Sequence, residues 1–189
     1  VFVIEGSCWL CLAHLTHYNV LSLLNCFVTF AKQDFASWIK TFNNHITVIS
    51  VSLAVYQKMV IRGSTEGIVG IVNQKNNSLK SWQPHNKNPL VIVLESIEKP
   101  GNLGAILRTA DASGVDAVII TEEHTDIHHP NVIRSSVGGF FSATLFVCSN
   151  EEAKHFLQKN KINIYAASLQ KSIFYNKANY KASTAFVMG

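Results

Sequence analysis

No Gly-Lys-Ser or Gly-Lys-Thr occurs in the 189 residues, so the phosphate-cradling loop of the P-loop nucleotide enzymes is absent. Gly101 and Gly104 also lack the G-x-G-x-x-G spacing of dinucleotide-binding turns. No Lys or Arg precedes Lys32, and Glu5, His14, His17 and Asn25 interrupt the apolar first thirty residues. That stretch therefore reads as part of a folded domain, neither a membrane span nor a secretory signal with a basic start. No methionine begins the chain, and residues before Val1 are expected. Charged residues make up only 15% and apolar ones 48%, enough to bury one large core or two modest ones.

There are four cysteines, and "CWLCLAHLTH" spaces Cys8, Cys11, His14 and His17 at intervals of three, a rhythm that resembles a metal site. Leu10, Ala13, Leu15 and Val20 predict a helix here. On a helix each step of three turns the next side chain back by about 60°. The four groups then spiral over half the surface and cannot converge on one ion, and the long gap between the ligand pairs of a zinc finger is missing. No metal is expected, and the thiols read as buried and free in a reducing, cytoplasmic compartment.

Net charge is +4, and its distribution is uneven. Residues 1–89 hold seven basic side chains (Lys32, Lys40, Lys58, Arg62, Lys75, Lys80, Lys87) against three acids, whereas residues 90–189 hold nine of each. The excess points toward an anionic partner for the first half, or equally toward a basic solvated face. "NQKNNSLKSWQPHNKNP" contains no acid, several amides and two prolines, and separates two apolar-patterned regions. We take 75–89 as a linker between a small α/β domain at 1–74 and a second domain at 90–189. In the first, "VFVIEG", "HITVISVS" and "EGIVGIVNQ" predict strands, and "VTFAKQDFASWIKTFNNH" a strand-to-helix passage. In the second, "PLVIVLES", "DAVIIT", "SATLFVC", "INIYAAS" and "TAFVMG" are apolar runs of the kind found in strands buried on both faces. Helical patterns lie between them, and Ser149 and Glu152 have capping-box spacing. A parallel, doubly wound sheet is expected.

The chemistry concentrates in "EKPGNLGAILRTADASGVDAVII". Pro100 and Gly101 follow a strand, Asn102 is placed to cap a helix running to about Ser113, and Gly114 stops it. A strand's carboxyl end and a helix N-terminus thus meet where open α/β sheets bind ligands. Leu103, Ile106, Leu107 and Ala110 predict the buried stripe. Arg108 faces away among Gly104, Ala105 and Ala112. Spacing alone favours a solvated arginine; the small neighbours would also let a ligand or second chain approach it.

"LESIEKPGNLGAILRTADASGVDAVII" resembles the first motif of the SpoU (TrmH) family of RNA ribose methyltransferases, in the SPOUT superfamily, whose N-x-G-x-x-x-R core corresponds to Asn102–Arg108. "NVIRSSVGGFFSATLF" resembles the family's Arg-x-Ser-x-Gly segment, and "IYAASL" and "TAFVMG" its later strands. "VFVIEG" and "GSTEGIVGIV" are similar to the ends of the ribosomal-protein-like RNA-binding domain that often precedes the catalytic one. The resemblance implies methyl transfer from S-adenosylmethionine to a ribose 2′-hydroxyl of tRNA or rRNA, without metal. It assigns catalytic roles to Asn102 and Arg108, and cofactor contacts to Leu169 and Gly189 beside Ser168. Arg134 and Ser136 would hold phosphate or sugar, unless they serve capping and packing. The family's acidic, Gly-rich second motif and its third motif, which thread a trefoil knot and complete the cofactor pocket, would follow Gly189, so the 189 residues read as a fragment. A homodimer through the helix after the first strand is also implied. "TEEHTDIHHP", with His124, His128 and His129 beside Glu122, Glu123 and Asp126, reads as a solvated rim loop rather than a metal site. The competing reading is a non-catalytic RNA-binding protein with a degenerate methyltransferase domain.

Overall fold

The structure, a computed structural model, describes residues 1–30, 32–42, 46–61, 66–170 and 172–189, without the side chains of Lys32 and Gln33. Arg62, counted above in the basic excess, and the final "NNH" of the second helical passage lie outside the described residues. The chain divides into a unit of residues 1–75 with 128–133 and a unit of residues 76–127 with 134–189.

The first unit follows the order β1 (Phe2–Glu5), α1 (Ser7–Leu15), β2 (Val20–Asn25), α2 (Lys32–Trp38), β3 (Thr47–Ser50), α3 (Leu53–Met59) and β4 (Ile68–Val72). Its sheet runs β1-β4-β2-β3, antiparallel except for the parallel β2–β3 pair. Val20, expected to extend the first helix, instead opens β2. The helix ends at Leu15 because His17 takes a left-handed turn (φ 63) and the amide of Tyr18 bonds back to Ala13. One sheet face carries Cys26 and Val69, packed with Tyr56 and Val60. On α1, Leu10 packs against Gly70, where any Cβ would strike the leucine methyls. Asn25 ends β2 fully buried, its amide unpaired among the described residues, a cost of about 1–3 kcal/mol that the surrounding apolar burial must offset.

The cysteines correct the expectation of uniformly buried thiols. All are free, but Cys8 is exposed and Cys11 and Cys148 are half-buried, leaving only Cys26 inside. Cys11 accepts the Trp38 indole N–H at 3.1 Å, and the His14 ring lies 4.8 Å from that of Phe42, so two of the four spaced groups pack against aromatics.

The second unit comprises β5 (Leu90–Glu95), α4 (Pro100–Ala112), β6 (Ala117–Thr121), the end of α5 (Pro130–Ser135), α6 (Gly139–Ser142), β7 (Leu145–Cys148), α7 (Asn150–Lys159), β8 (Asn163–Ala166) and β9 (Thr184–Met188). All five strands are parallel, in the order β7-β6-β5-β9-β8. Burial on both faces, expected for all five apolar runs, holds for the central strands β5 and β6, whereas the edge strand β8 is mostly exposed, Ile164 included, because only one side of it meets another strand. Val91, Val93, Ala117 and Ile119 meet Ala153, Phe156 and Leu157 of α7, while Leu94, Val118 and Ile120, which alternate with them, point the other way and are equally buried. The expected capping box opens α7, with Ser149 accepting from the Glu152 amide and Glu152 from that of Ser149. Residues 76–89 are part of this unit: Leu79 and Trp82 pack into its core, and the Asn77 amide donates to the Leu145 carbonyl at 3.2 Å.

Gly67 shows how tightly the first unit is closed. Its φ is +69, and an added Cβ would lie 2.7 Å from the Phe30 nitrogen and 2.9 Å from the Cys26 carbonyl oxygen, atoms of the main chain that cannot swing aside. Gly67→Ala is expected to cost roughly 2–4 kcal/mol, combining backbone strain with overpacking. Gly101→Ala, where a Cβ meets nothing within 4 Å, should be neutral or slightly stabilising. Denaturant midpoints of the two variants check this, and equal stabilities would contradict the packing described.

Candidate active site

The chain steps from β5 outward to β6 and β7, crosses to β8, and returns through β9, so the two directions of travel meet between β5 and β9. In open α/β sheets the crevice outside the carboxyl ends at such a reversal is where ligands bind. Here those ends are Glu95, Thr121, Cys148, Ala166 and Met188.

The helix α4 rises from this edge, but not with the cap expected. Lys99 is the N-cap and makes no side-chain bond, Pro100 is the first helical residue, and Asn102 lies inside the first turn. Proline suits that position because its missing N–H would have been unpaired anyway. The change frees Asn102: its side chain is exposed and makes no hydrogen bond among the described residues. The amides of Asn102 and Leu103 both bond to the Lys99 carbonyl. The stripe facing inward is Leu103, Gly104, Leu107 and Ala110, with Ile106 half-buried. Gly104 thus belongs to the packed side, not to the open face with Arg108.

Arg108 is exposed and has no carboxylate partner among the described residues. It stands about 9 Å along the axis from Asn102, and long side chains on a helix lean toward its N-terminus, hence toward the carboxyl edge. Its backbone is pinned from the side by α6. At Gly139 an added Cβ would come within 2.8 Å of the Leu107 carbonyl oxygen and 3.1 Å of the Arg108 Cα. Two consecutive left-handed residues, Val137 (φ 50) and Gly138 (φ 99), bring the chain round to this contact. Ser136 is fully buried, and its hydroxyl accepts from the Phe140 amide at 3.1 Å. Of the pair expected at phosphate or sugar, Ser136 sits inside, bonded to an amide of the first turn of α6, whereas Arg134 is exposed in the last turn of α5.

The residues expected at the cofactor follow the strand ends. Ser168 and Leu169 come just after β8, both exposed, and the Ser168 hydroxyl accepts from the Gln170 amide at 3.2 Å. Gly189 directly follows β9, beside Glu95, whose Cβ and carbonyl oxygen would each be 3.3 Å from a Cβ placed there. Next to them opens a cavity of about 400 Å³ lined by Tyr165, Ser168, Tyr180, Phe186 and Met188 among others.

Three groups at the same edge escaped the sequence reading. Glu95, Thr121 and Cys148 are register neighbours on adjacent strands. Glu95 accepts from the Asn150 amide at 3.0 Å, joining β5 to the start of α7. The Thr121 hydroxyl is buried with no partner among the described residues. Burial, helped by the Glu152 carboxylate and opposed by the Ala153 amide, pushes the Cys148 thiol up to about 11. The signal was their place at the last position of each apolar run, where a Thr or Cys otherwise reads as an ordinary strand former.

Residues 89–189 match the model of the SpoU rRNA Methylase family. The chain belongs to the SpoU rRNA methylase family. Among similar proteins, the 23S rRNA (guanosine(2553)-2′-O)-methyltransferase of Bacillus subtilis is 28% identical over 99 residues, covering 52% of this chain and 40% of that protein. The chain thus spans less than half the length of this curated relative. A crystal structure of an RNA 2′-O ribose methyltransferase superposes with a TM-score of 0.79 at 26% identity, over all of this chain and 70% of that one. An AdoMet-bound rRNA methyltransferase from Sinorhizobium meliloti superposes at 0.85 with 24% identity, over all of this chain and 70% of that one, and shows the shared fold. The α/β architecture with a parallel sheet expected for SpoU proteins is therefore the one this chain adopts.

The thiols provide a test of the edge geometry. At pH 8 a thiol reagent should label exposed Cys8 rapidly, half-buried Cys148 much more slowly and Cys26 only after denaturation, because reaction requires thiolate and access. Mass spectrometry of the labelled native protein checks the order; Cys148 reacting as fast as Cys8 would refute the burial at β7.

Proposed function

We propose that this protein is an RNA methyltransferase that moves a methyl group from S-adenosylmethionine to a ribose 2′-hydroxyl of tRNA or rRNA. The observation that carries this reading is Arg108: an exposed guanidinium with no carboxylate partner among the described residues, on a helix that starts at the carboxyl edge of a SpoU sheet. A surface arginine kept for solvent needs no such pinning, whereas Gly139 fixes this one's main chain.

The edge between β5, β9 and β8 fits the cofactor. Its cavity combines apolar walls, Phe186 and Met188 among them, with tyrosine rings and the polar side chains of Ser168, Gln170 and Ser172, a mixture suited to an adenosyl moiety, and the Glu95 carboxylate beside Gly189 suits a cationic end. Ser168, Leu169 and Gly189 would hold it. When bound, it would supply an electrophilic methyl group carried on a sulfonium, with a neutral thioether as the leaving group. The chain's own work is then orientation. Arg108, whose guanidinium offers donors and no acceptor, acts not as a base but as a fixed donor that holds the hydroxyl oxygen in line and stabilises negative charge as the hydroxyl proton leaves to water. Asn102 arranges the same oxygen, and Arg134 takes a phosphate, while Ser136 contributes by shaping α6.

In this reading residues 1–74 bind the RNA substrate, 75–89 link the two parts, and 90–189 form the methyltransferase domain. The division of the chain between Lys75 and Asn76 supports the separation of the two domains, while the packing of Leu79 and Trp82 attaches most of 75–89 to the second. The reading includes a homodimer and a cytoplasmic location. Four free cysteines suit a reducing compartment, and among the described residues no helix is long and apolar enough to cross a membrane.

Methyl transfer by the Arg108→Ala protein to bulk tRNA or rRNA, measured with labelled S-adenosylmethionine, tests the assignment. Removing a preorganised donor at the reacting centre should lower the rate on the order of a hundredfold, about 3 kcal/mol of transition-state stabilisation. Arg108→Lys should fare almost as badly, since an ammonium lacks the planar fork. Cofactor affinity should hold. Transfer at near the wild-type rate would return Arg108 to solvent and favour the non-catalytic RNA-binding alternative.

A further inference from the structure

We infer that Thr125 is a positioning residue of this site, a latch that sets where α4 begins and so where Asn102 is presented; this rests on the methyltransferase reading above. Helix entries are usually fixed by a side chain at the N-cap, as Ser149 does for α7 and Ser52 for α3. At α4 that device is missing, because Lys99 makes no capping bond and Pro100 has no N–H to give. The segment joining β5 to α4 is held instead by the neighbouring loop after β6. Near the sheet the Ser96 amide donates to the Thr121 carbonyl at 3.1 Å. Farther out, the Thr125 hydroxyl donates to the Glu98 carbonyl, one residue before the N-cap.

The latch is itself rigidly mounted. Thr125 is only 5% exposed and Ile127 9%, in a loop otherwise rich in solvent-facing acids and histidine. The Glu123 carboxylate accepts from the Ile127 amide at 3.3 Å and closes the turn around Thr125. Both loops leave their strands through left-handed residues, Ser96 (φ 53) and Glu122 (φ 50), so each is directed rather than loose. Losing the hydroxyl would leave the Glu98 carbonyl unpaired and release the first turn of α4. Arg108, two turns on and held by Gly139, would move less than Asn102. Small displacements of a positioning group cost catalysis far more than binding.

A purely space-filling threonine makes the opposite prediction from a latch. Thr125→Val keeps the volume and removes the hydroxyl, whereas Thr125→Ser keeps the hydroxyl and removes a methyl. We expect Val to lower kcat by about tenfold or more with KM for RNA within about twofold, and Ser to retain near wild-type kcat. Amide exchange at Asn102 and Leu103 should accelerate in Val but not in Ser. Undiminished kcat in Val, or Ser falling as far as Val, would overturn the latch. If the wild-type protein transfers no methyl, the functional reading fails, and the exchange rates alone decide: unchanged protection in Val overturns the latch, faster exchange in Val alone upholds it.

Discussion

Parallel pairing of β5 with β6 on one side and β9 on the other is the constraint from which the second unit's other features follow. A parallel pair cannot be closed by a tight turn, so each connection must cross a face of the sheet and return to the same end. Every strand therefore finishes at one edge, and every helix that follows a strand starts there. Because the chain reverses direction between β5 and β9, that edge opens where the first strand's following loop and the last strand's end lie side by side. Glu95 and Gly189, distant in sequence, lie side by side there for this reason.

Much of this was readable in advance because strands of a parallel sheet leave long apolar runs, even at the edge strand β8, where most of the run is exposed. The five apolar runs of the second domain are its five strands. What the sequence hid were matters of one or two residues. Asn102 looks like an N-cap, yet Pro100 two places earlier is preorganised for a first helical turn, and the fixed φ prevails over the asparagine's capping preference. Val20 continued an apolar period that belonged partly to a helix and partly to a strand, since a short strand and a short helix can share apolar positions for several residues. Gly104 has no side chain to declare a face, so its inward position could come only from packing.

The candidate site was legible by residue type but not by role. Arg108 and Asn102 stand out in the sequence, and the fold leaves both exposed on the helix that starts at the carboxyl edge of the sheet. The charge excess of the first half was less informative than it looked. Lys75 donates to the Thr16 carbonyl at 2.6 Å and lies 4.2 Å from the centre of the Tyr18 ring, and burial lowers its pKa. Lys80 pairs with Glu152 at 3.0 Å. Both are engaged locally, and counting charges along a chain cannot distinguish such lysines from ones presented to a partner.

Ser136 shows most clearly why a motif's polar residues need not all touch substrate. Its hydroxyl is fully buried and engaged by the Phe140 amide. What it controls is the entry of α6, whose first residue, Gly139, lies against the main chain of α4 at Leu107 and Arg108. Rotating that short helix even slightly would press it into the α4 backbone or withdraw it, and packed main chain does not absorb such shifts gradually. The serine thus acts on the site through backbone position, while the exposed Arg134, two residues earlier, is the group able to meet an anion. One segment thereby supplies both the support for the Arg108 helix and a positive charge, from residues that the sequence presents as equivalent.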